Sequence, residues 1–192
     1  MKLQEAIDKR RSIREFESRK VPREIIKKLI INASKAPSAA NTQPWEFYVI
    51  DSEDKINKIA KMNGTLLISR KESFDKLEKK LKVIANSFYA TLGNCKTIIL
   101  VYIEKDKNKI IEENKIKSVS ASIENLMLSA LEQGLGTCWM GSFVQVEEEI
   151  NRLIGIRNKK LISGVLLGYP KRGYKPLIRK KKKLNEILKF VK

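Results

Sequence analysis

Apolar residues recur at helical spacing over most of this chain, interrupted by a few short runs that are apolar throughout. Leu3, Ala6, Ile7 and Arg10 share one helical face, which predicts a short opening helix with Arg10 and Arg11 at its C-terminal end. Ser12 to Phe16 reads as extended. Pro22 suits a first helical position, and Ile25, Ile26, Leu29, Ile30 and Ala33 repeat at helical spacing until Pro37 stops the helix. Trp45 to Ile50, aromatic and β-branched, predicts a strand. Ser52 is placed to cap a helix through Met62 that ends before Gly64. Phe74, Leu77, Leu81, Ile84, Ala85 and Phe88 form a stripe that predicts a long helix over 73–92.

Thr97 to Ile103 predicts a buried strand, and residues 104–117 a charged connection or a short exposed helix. Ile123, Leu126, Met127, Ala130 and Leu131 mark a helix closed by Gly134. Gly136 to Gly141 is a glycine-bracketed strand or turn, Val146 to Leu153 a short helix, and Leu161 to Leu167 a last strand ending at Gly168-Tyr169-Pro170. Leu184, Ile187 and Leu188 predict a packed terminal helix. With no internal repeat, linker or composition break, residues 1–192 read as a single domain of α+β or mixed α/β class. A chain of this size buries about 70% of its unfolded surface.

Composition narrows the function. Hydrophobic residues are 42% and charged residues 32% of the chain. The run Ile98 to Ile103 is far short of the roughly 20 apolar residues that span a bilayer. Lys2, Glu5, Asp8, Lys9 and Arg10 leave no signal-peptide core, so the expected location is cytoplasmic. There is no histidine, and Cys95 and Cys138 are not in CxxC spacing. That excludes Ser-His-Asp and Cys-His catalysis and argues against a metal site. Forty basic and 22 acidic residues give a formal charge of +18, which invites a nucleic-acid reading. The lysines are spread along nearly every helix, however, which favours a solvated surface over a binding face.

Three segments carry candidate chemistry. Arg10, Arg11, Ser12 and Arg14 place three guanidiniums and a hydroxyl within five residues, an anion trap suited to phosphate oxygens. Ala36-Pro37-Ser38-Ala39-Ala40-Asn41-Thr42-Gln43-Pro44-Trp45 is a loop stiffened by proline at both ends and rich in amide donors and acceptors. Gly134-Leu135-Gly136-Thr137-Cys138-Trp139-Met140-Gly141 permits close backbone approach to a flat ligand, with Trp139 able to stack or wall a pocket. The blander alternatives are a surface arginine cluster paired with Glu15 and Glu17, an ordinary turn, and a packed Cys138 without a base. Taken together, the segments point to a ligand with a phosphate tail and a polar heteroaromatic head.

In order and spacing these segments resemble the nitroreductase family of FMN-dependent oxidoreductases, over nearly the whole chain. The resemblance rests on Arg10-Arg11-Ser12-Ile13-Arg14-Glu15-Phe16, Val21-Pro22, Ala36-Pro37-Ser38 with Asn41 and Gln43-Pro44-Trp45-Glu46-Phe47. It continues through Ile123 to Leu128, Gly134 to Gly141, and Gly168-Tyr169-Pro170. It implies an α+β sandwich around a mainly antiparallel sheet flanked by helices, in a homodimer with two FMN sites at the subunit interface. Arg10, Arg11, Ser12 and Arg14 would hold the phosphate and part of the flavin from one subunit. Pro37, Ser38 and Asn41 would come from the other. Cys138, Trp139, Met140 and Gly141 would lie beside the isoalloxazine and offer backbone N–H groups near its reactive nitrogen. Arg179 and Lys181, within a run of five basic residues, align with the family's C-terminal basic pair at the phosphate. Asn94-Cys95-Lys96 and Ser118 depart from the family pattern, which bears on subfamily and substrate more than on cofactor.

The implied reaction is ping-pong hydride transfer from NADH or NADPH through FMN to a nitroaromatic or quinone-type acceptor, with no side-chain general base. Alternatives of the same fold are a flavin reductase, a reductive dehalogenase, or a flavin-binding storage or regulatory protein. A nucleic-acid-binding module driven by charge is the alternative of another class.

Overall fold

A computed structural model describes residues 1–69, 79–177 and 180–191. Helices α1 (Leu3–Lys9) and α2 (Arg23–Ala33) precede strand β1 (Glu46–Ile50). Helices α3 (Glu53–Ser69) and α4 (Lys79–Thr91) lead to β2 (Thr97–Glu104), and α5 (Lys109–Glu132) to β3 (Gly136–Met140). Helix α6 (Glu147–Ile154), strand β4 (Lys159–Gly168) and the single turn α7 (Leu184–Ile187) complete the described order.

The sheet has the order β1-β2-β4-β3 and is antiparallel throughout. The interior strand β2 is buried on both faces, which is why Ile98 to Ile103 is apolar without alternation. Successive side chains still point to opposite sides. Ile98, Leu100 and Tyr102 pack with Ile56, Ile59 and Ala60 of α3, Phe88 of α4 and Ile150 of α6. Ile99, Val101 and Ile103 meet Ile26, Leu29 and Ala33 of α2 and Val119, Ile123 and Leu126 of α5. Helices therefore cover both faces of one antiparallel sheet, the expected sandwich.

Several boundaries differ from the sequence expectation. Pro22, with φ −59° and ψ 138°, caps α2 from outside instead of occupying its first turn. Helix α3 runs through Gly64 to Ser69. A glycine inside a helix costs about 1 kcal/mol, and here the helix is held by packing on α4, where a Cβ on Gly64 would stand 3.8 Å from the Ala90 Cα. The long stripe over 73–92 is described only as α4, since residues 70–78 lie outside the described residues. The charged stretch before Ile123 is the first half of α5, started by Asn108, whose side chain accepts from the Ile110 and Ile111 N–H groups. Its outer face is solvated, with Ile110 exposed, so no apolar stripe announces it. The terminal helix exists but is not packed in the single chain: Leu184, Ile187 and Phe190 are all exposed.

Beyond β3, the extended segment 12–16 runs along the sheet edge. Ser12 bridges Thr137 in parallel, Phe16 bridges Pro170, and the Ile13 N–H donates to the Thr137 carbonyl at 2.9 Å. The other support is Gly93, in the turn Leu92–Asn94 after α4. Its carbonyl accepts from the Phe16 N–H at 2.9 Å. Its φ is +63°, and a Cβ there would fall 2.2 Å from the Arg14 carbonyl oxygen. Gly93→Ala is expected to destabilise the protein by about 1–3 kcal/mol, seen as a lower denaturant midpoint. Gly134 also has positive φ (+70°) but nothing within 4 Å of its Cβ position, so Gly134→Ala is expected to cost less. Equal midpoints for the two variants would contradict a steric role for Gly93.

Candidate functional site

Helix α1 ends at Arg10 and releases the three arginines in different directions. The Arg10 Nε lies 3.4 Å from a Glu124 carboxylate oxygen on α5. Arg11 turns back on its own helix, where Nη1 donates to the Asp8 and Arg10 carbonyls at 2.7 Å each. Arg14 points to the other face of the sheet and stands over the Phe88 ring, 5.7 Å from its centroid. Among the described residues no carboxylate lies within ion-pair reach of Arg14, although it is half-buried. A partly desolvated guanidinium without an acid is a poor structural element and a good anion receptor. Glu15, expected to be a structural partner in the blander reading, pairs instead with Lys171 at 3.1 Å.

The loop before β1 is built from left-handed backbone. Ala40, Asn41 and Gln43 have φ of 49°, 53° and 44°, a region that non-glycine residues adopt at a cost and hold only when their surroundings enforce it. The enforcement is visible. The Ser38 hydroxyl accepts from the Gln43 N–H at 3.1 Å, and the Gln43 amide donates to the Asn41 side-chain oxygen at 3.3 Å. The Ala39 N–H donates to the Ser118 hydroxyl at 3.2 Å, and that hydroxyl donates to the Asn114 carbonyl at 2.8 Å. Ser118 thus ties the loop to α5, a role its sequence context does not signal. Pro37 and Asn41 remain exposed.

The third segment is β3 and the 3-10 turn Gly141–Val146 that follows it. Cys138 and Met140 point inward at 3% exposure each, and Trp139 stands outward at 37%. The space around a Cβ position on Gly141 is open. Burial pushes the Cys95 thiol up to about 12, so it stays neutral at physiological pH. Both cysteines are packing residues by burial. Lys181 is exposed, and Arg179 lies outside the described residues.

The arginine segment flanks β3 and the strained loop feeds β1, so the two groups lie on opposite edges of the sheet. Three interstrand spacings, about 14 Å, separate those edges. One chain brings the arginine segment alongside β3 but leaves the loop of Pro37, Ser38 and Asn41 at the far edge. A cleft of about 590 Å³ between α3 and α4, lined by Ile56, Ala60, Thr65, Ala90 and Cys95 among others, contains none of them. The residues that sequence reasoning missed are Phe88, Glu124, Ser118, Gly93, and Asn63 with its partner Ser142. Asn63 carried a signal: it continues the apolar α3 stripe Ile56, Ile59, Ala60 at helical spacing, where a polar side chain is out of place.

Known proteins share this fold. A BluB-like flavoprotein from Clostridium difficile 630 superposes with a TM-score of 0.79 at 28% identity, over 100% of both chains. The FMN-dependent nitroreductase NfnB from Mycobacterium smegmatis, solved in complex with NADPH, shares the fold with a TM-score of 0.75 at 18% identity over 100% of both chains. YfhC of Bacillus subtilis (strain 168), assigned to the NAD(P)H nitroreductases, is 30% identical over 169 residues, which are 88% of this chain and 84% of that protein. Iodotyrosine deiodinase of Hydra vulgaris is 29% identical over 198 aligned positions, covering 95% of this chain and 70% of that protein. The sequence profile of the Nitroreductase family matches residues 7–169. The fold and its relatives define a flavoprotein oxidoreductase. The chain belongs to the nitroreductase family. Among the described residues no helix is long and apolar enough to cross a membrane.

Proposed function

We propose that this chain works as a homodimeric FMN-dependent NAD(P)H oxidoreductase that passes electrons to nitroaromatic or quinone-type acceptors. The observation that supports the reading is Arg14, a half-buried cation that meets no carboxylate among the described residues, on the sheet edge opposite the strained amide loop. The donor set fits FMN. Arg10, Ser12 and Arg14 would hold the phosphate and the near part of the flavin, with Arg179 and Lys181 completing the phosphate site. Arg11 would add charge at the entrance, since its guanidinium already bonds its own helix. Pro37, Ser38 and Asn41 of the partner subunit would close the other side. Cys138 to Gly141 would form the wall beside the ring, with Trp139 exposed at its rim.

The chemistry supplied by bound FMN is ping-pong hydride transfer between NADH or NADPH and the second substrate. The protein's share is binding, orientation and electrostatics. Backbone N–H groups of the Met140–Gly141 stretch would face the place where negative charge develops, which preorganised dipoles stabilise without reorganisation. No side chain is needed as general base, which agrees with a chain that has no histidine. The exposed apolar residues of the C-terminal turn, Leu184 and Ile187, give a second chain a surface to cover.

The test is steady-state oxidation of NADH and of NADPH with menadione or a nitrofuran as acceptor. Acceptor-dependent oxidation with parallel double-reciprocal lines is the expected result. A flavin-loaded protein without such turnover would be a storage or regulatory protein, and salt-sensitive DNA binding without flavin would restore the nucleic-acid reading. Reductive dehalogenation is the second reading, favoured by the likeness to iodotyrosine deiodinase over 95% of the chain. Faster turnover of a halogenated tyrosine than of menadione would select it.

A further inference from the structure

We infer that the Asn63 carboxamide is a positioning group that fixes the Gly141–Ser142 backbone through the Ser142 hydroxyl, an inference that rests on the flavin reading above. Asn63 is fully buried on α3, at a position where Ile56, Ile59 and Ala60 form the apolar stripe. Its side-chain oxygen accepts a hydrogen bond from the Ser142 hydroxyl at 2.8 Å. Its Nδ2 finds no acceptor among the described residues. A buried amide donor left unmade is costly, and leucine would fill a similar volume in the same stripe without that penalty. What an asparagine supplies there and a leucine does not is the bond to Ser142.

That bond acts on a turn already held from the other side. Phe143, the next residue, is fully buried, and its ring occupies a notch in β4 where a Cβ on Gly164 would lie 2.3 Å from the Phe143 Cδ2. The chain is therefore pinned at Ser142 by α3 and at Phe143 by the sheet. Immediately before these pins, Gly141 has open space beside it. A backbone fixed on its inner side and open on its outer side is the arrangement a preorganised N–H donor requires. Asn63 is not itself among the candidate flavin contacts. It acts through Ser142.

The test uses flavin-loaded dimers and reads the two-electron midpoint potential by spectroelectrochemistry, with thermal stability alongside. Ser142→Ala and Asn63→Leu are each expected to move the potential by about 30 mV or more, the equivalent of a tenfold change in a two-electron equilibrium. The double variant is expected to move it no further than either single one, because both remove the same bond. Ser142→Thr keeps a hydroxyl and is expected to match the parent. Asn63→Leu is expected to retain or gain thermal stability, whereas a purely structural asparagine would lose stability and leave the potential alone. A flavin-loaded Ser142→Ala protein with the parent's potential would overturn the inference, also if Asn63→Leu fails to fold. A parent protein that takes up no FMN would instead overturn the proposed function.

Discussion

Arg14→Ala is expected to bind FMN about 10- to 100-fold more weakly than the parent, the loss that follows from removing a charge-assisted bond of about 1.5–3 kcal/mol. The size of the effect comes from what surrounds the side chain. Arg14 is half-buried against the Phe88 ring and has no carboxylate partner among the described residues, so its removal orphans no acid among them. The variant should therefore fold with near-parental stability while losing flavin on gel filtration. Arg14→Lys should fall between the two, since an ammonium keeps the charge and loses the planar fork. Arg11→Ala is the internal contrast. That guanidinium bonds the Asp8 and Arg10 carbonyls at 2.7 Å and is exposed, so its loss should alter FMN affinity less. Flavin titration by fluorescence quenching measures all three. Parental affinity in Arg14→Ala would remove Arg14 from the phosphate site.

The second large effect is on assembly. Dilution below the dimer dissociation constant is expected to release flavin completely, in step with the appearance of monomer. The arginine segment lies outside β3 and the loop of Ser38 and Asn41 leads into β1, with the whole width of the sheet between them. A ligand gripped by both groups must take one from each of two chains. Analytical ultracentrifugation with detection at the flavin absorbance follows both quantities in one experiment. Flavin co-sedimenting stoichiometrically with a verified monomer would sink the shared-site account. The rigidity of the loop adds a further consequence. Ala40, Asn41 and Gln43 are held in left-handed backbone by Ser38 and Ser118, so the loop is preformed and binding need not order it.

How much of this was legible in the sequence depends on whether a residue's role is local. The α2 stripe from Ile25 to Ala33 and the apolar block of β2 announce themselves, because periodicity reports burial directly. The first half of α5 does not, because its outer face meets water and its charged residues look like any connection. Gly64 is a plausible helix end by propensity, and only the packing of α3 on α4 shows that the helix continues. The candidate site divides in the same way. Arg10, Ser12 and Arg14 are recognisable by spacing. Phe88 under Arg14 and Gly93 under its carbonyl come from 74 and 79 positions away, and no local pattern links them. Ser118 reads as a departure from the family pattern, yet its hydroxyl ties the strained loop to α5.

Central to the proposed function is that two copies of this chain grip one FMN per active site between opposite edges of their sheets. It is tested most directly by denaturing the purified dimer and determining the identity and amount of the released chromophore by mass spectrometry. The predicted result is FMN at one molecule per chain. A dimer that releases no flavin, and takes none up from an excess of FMN, would contradict it.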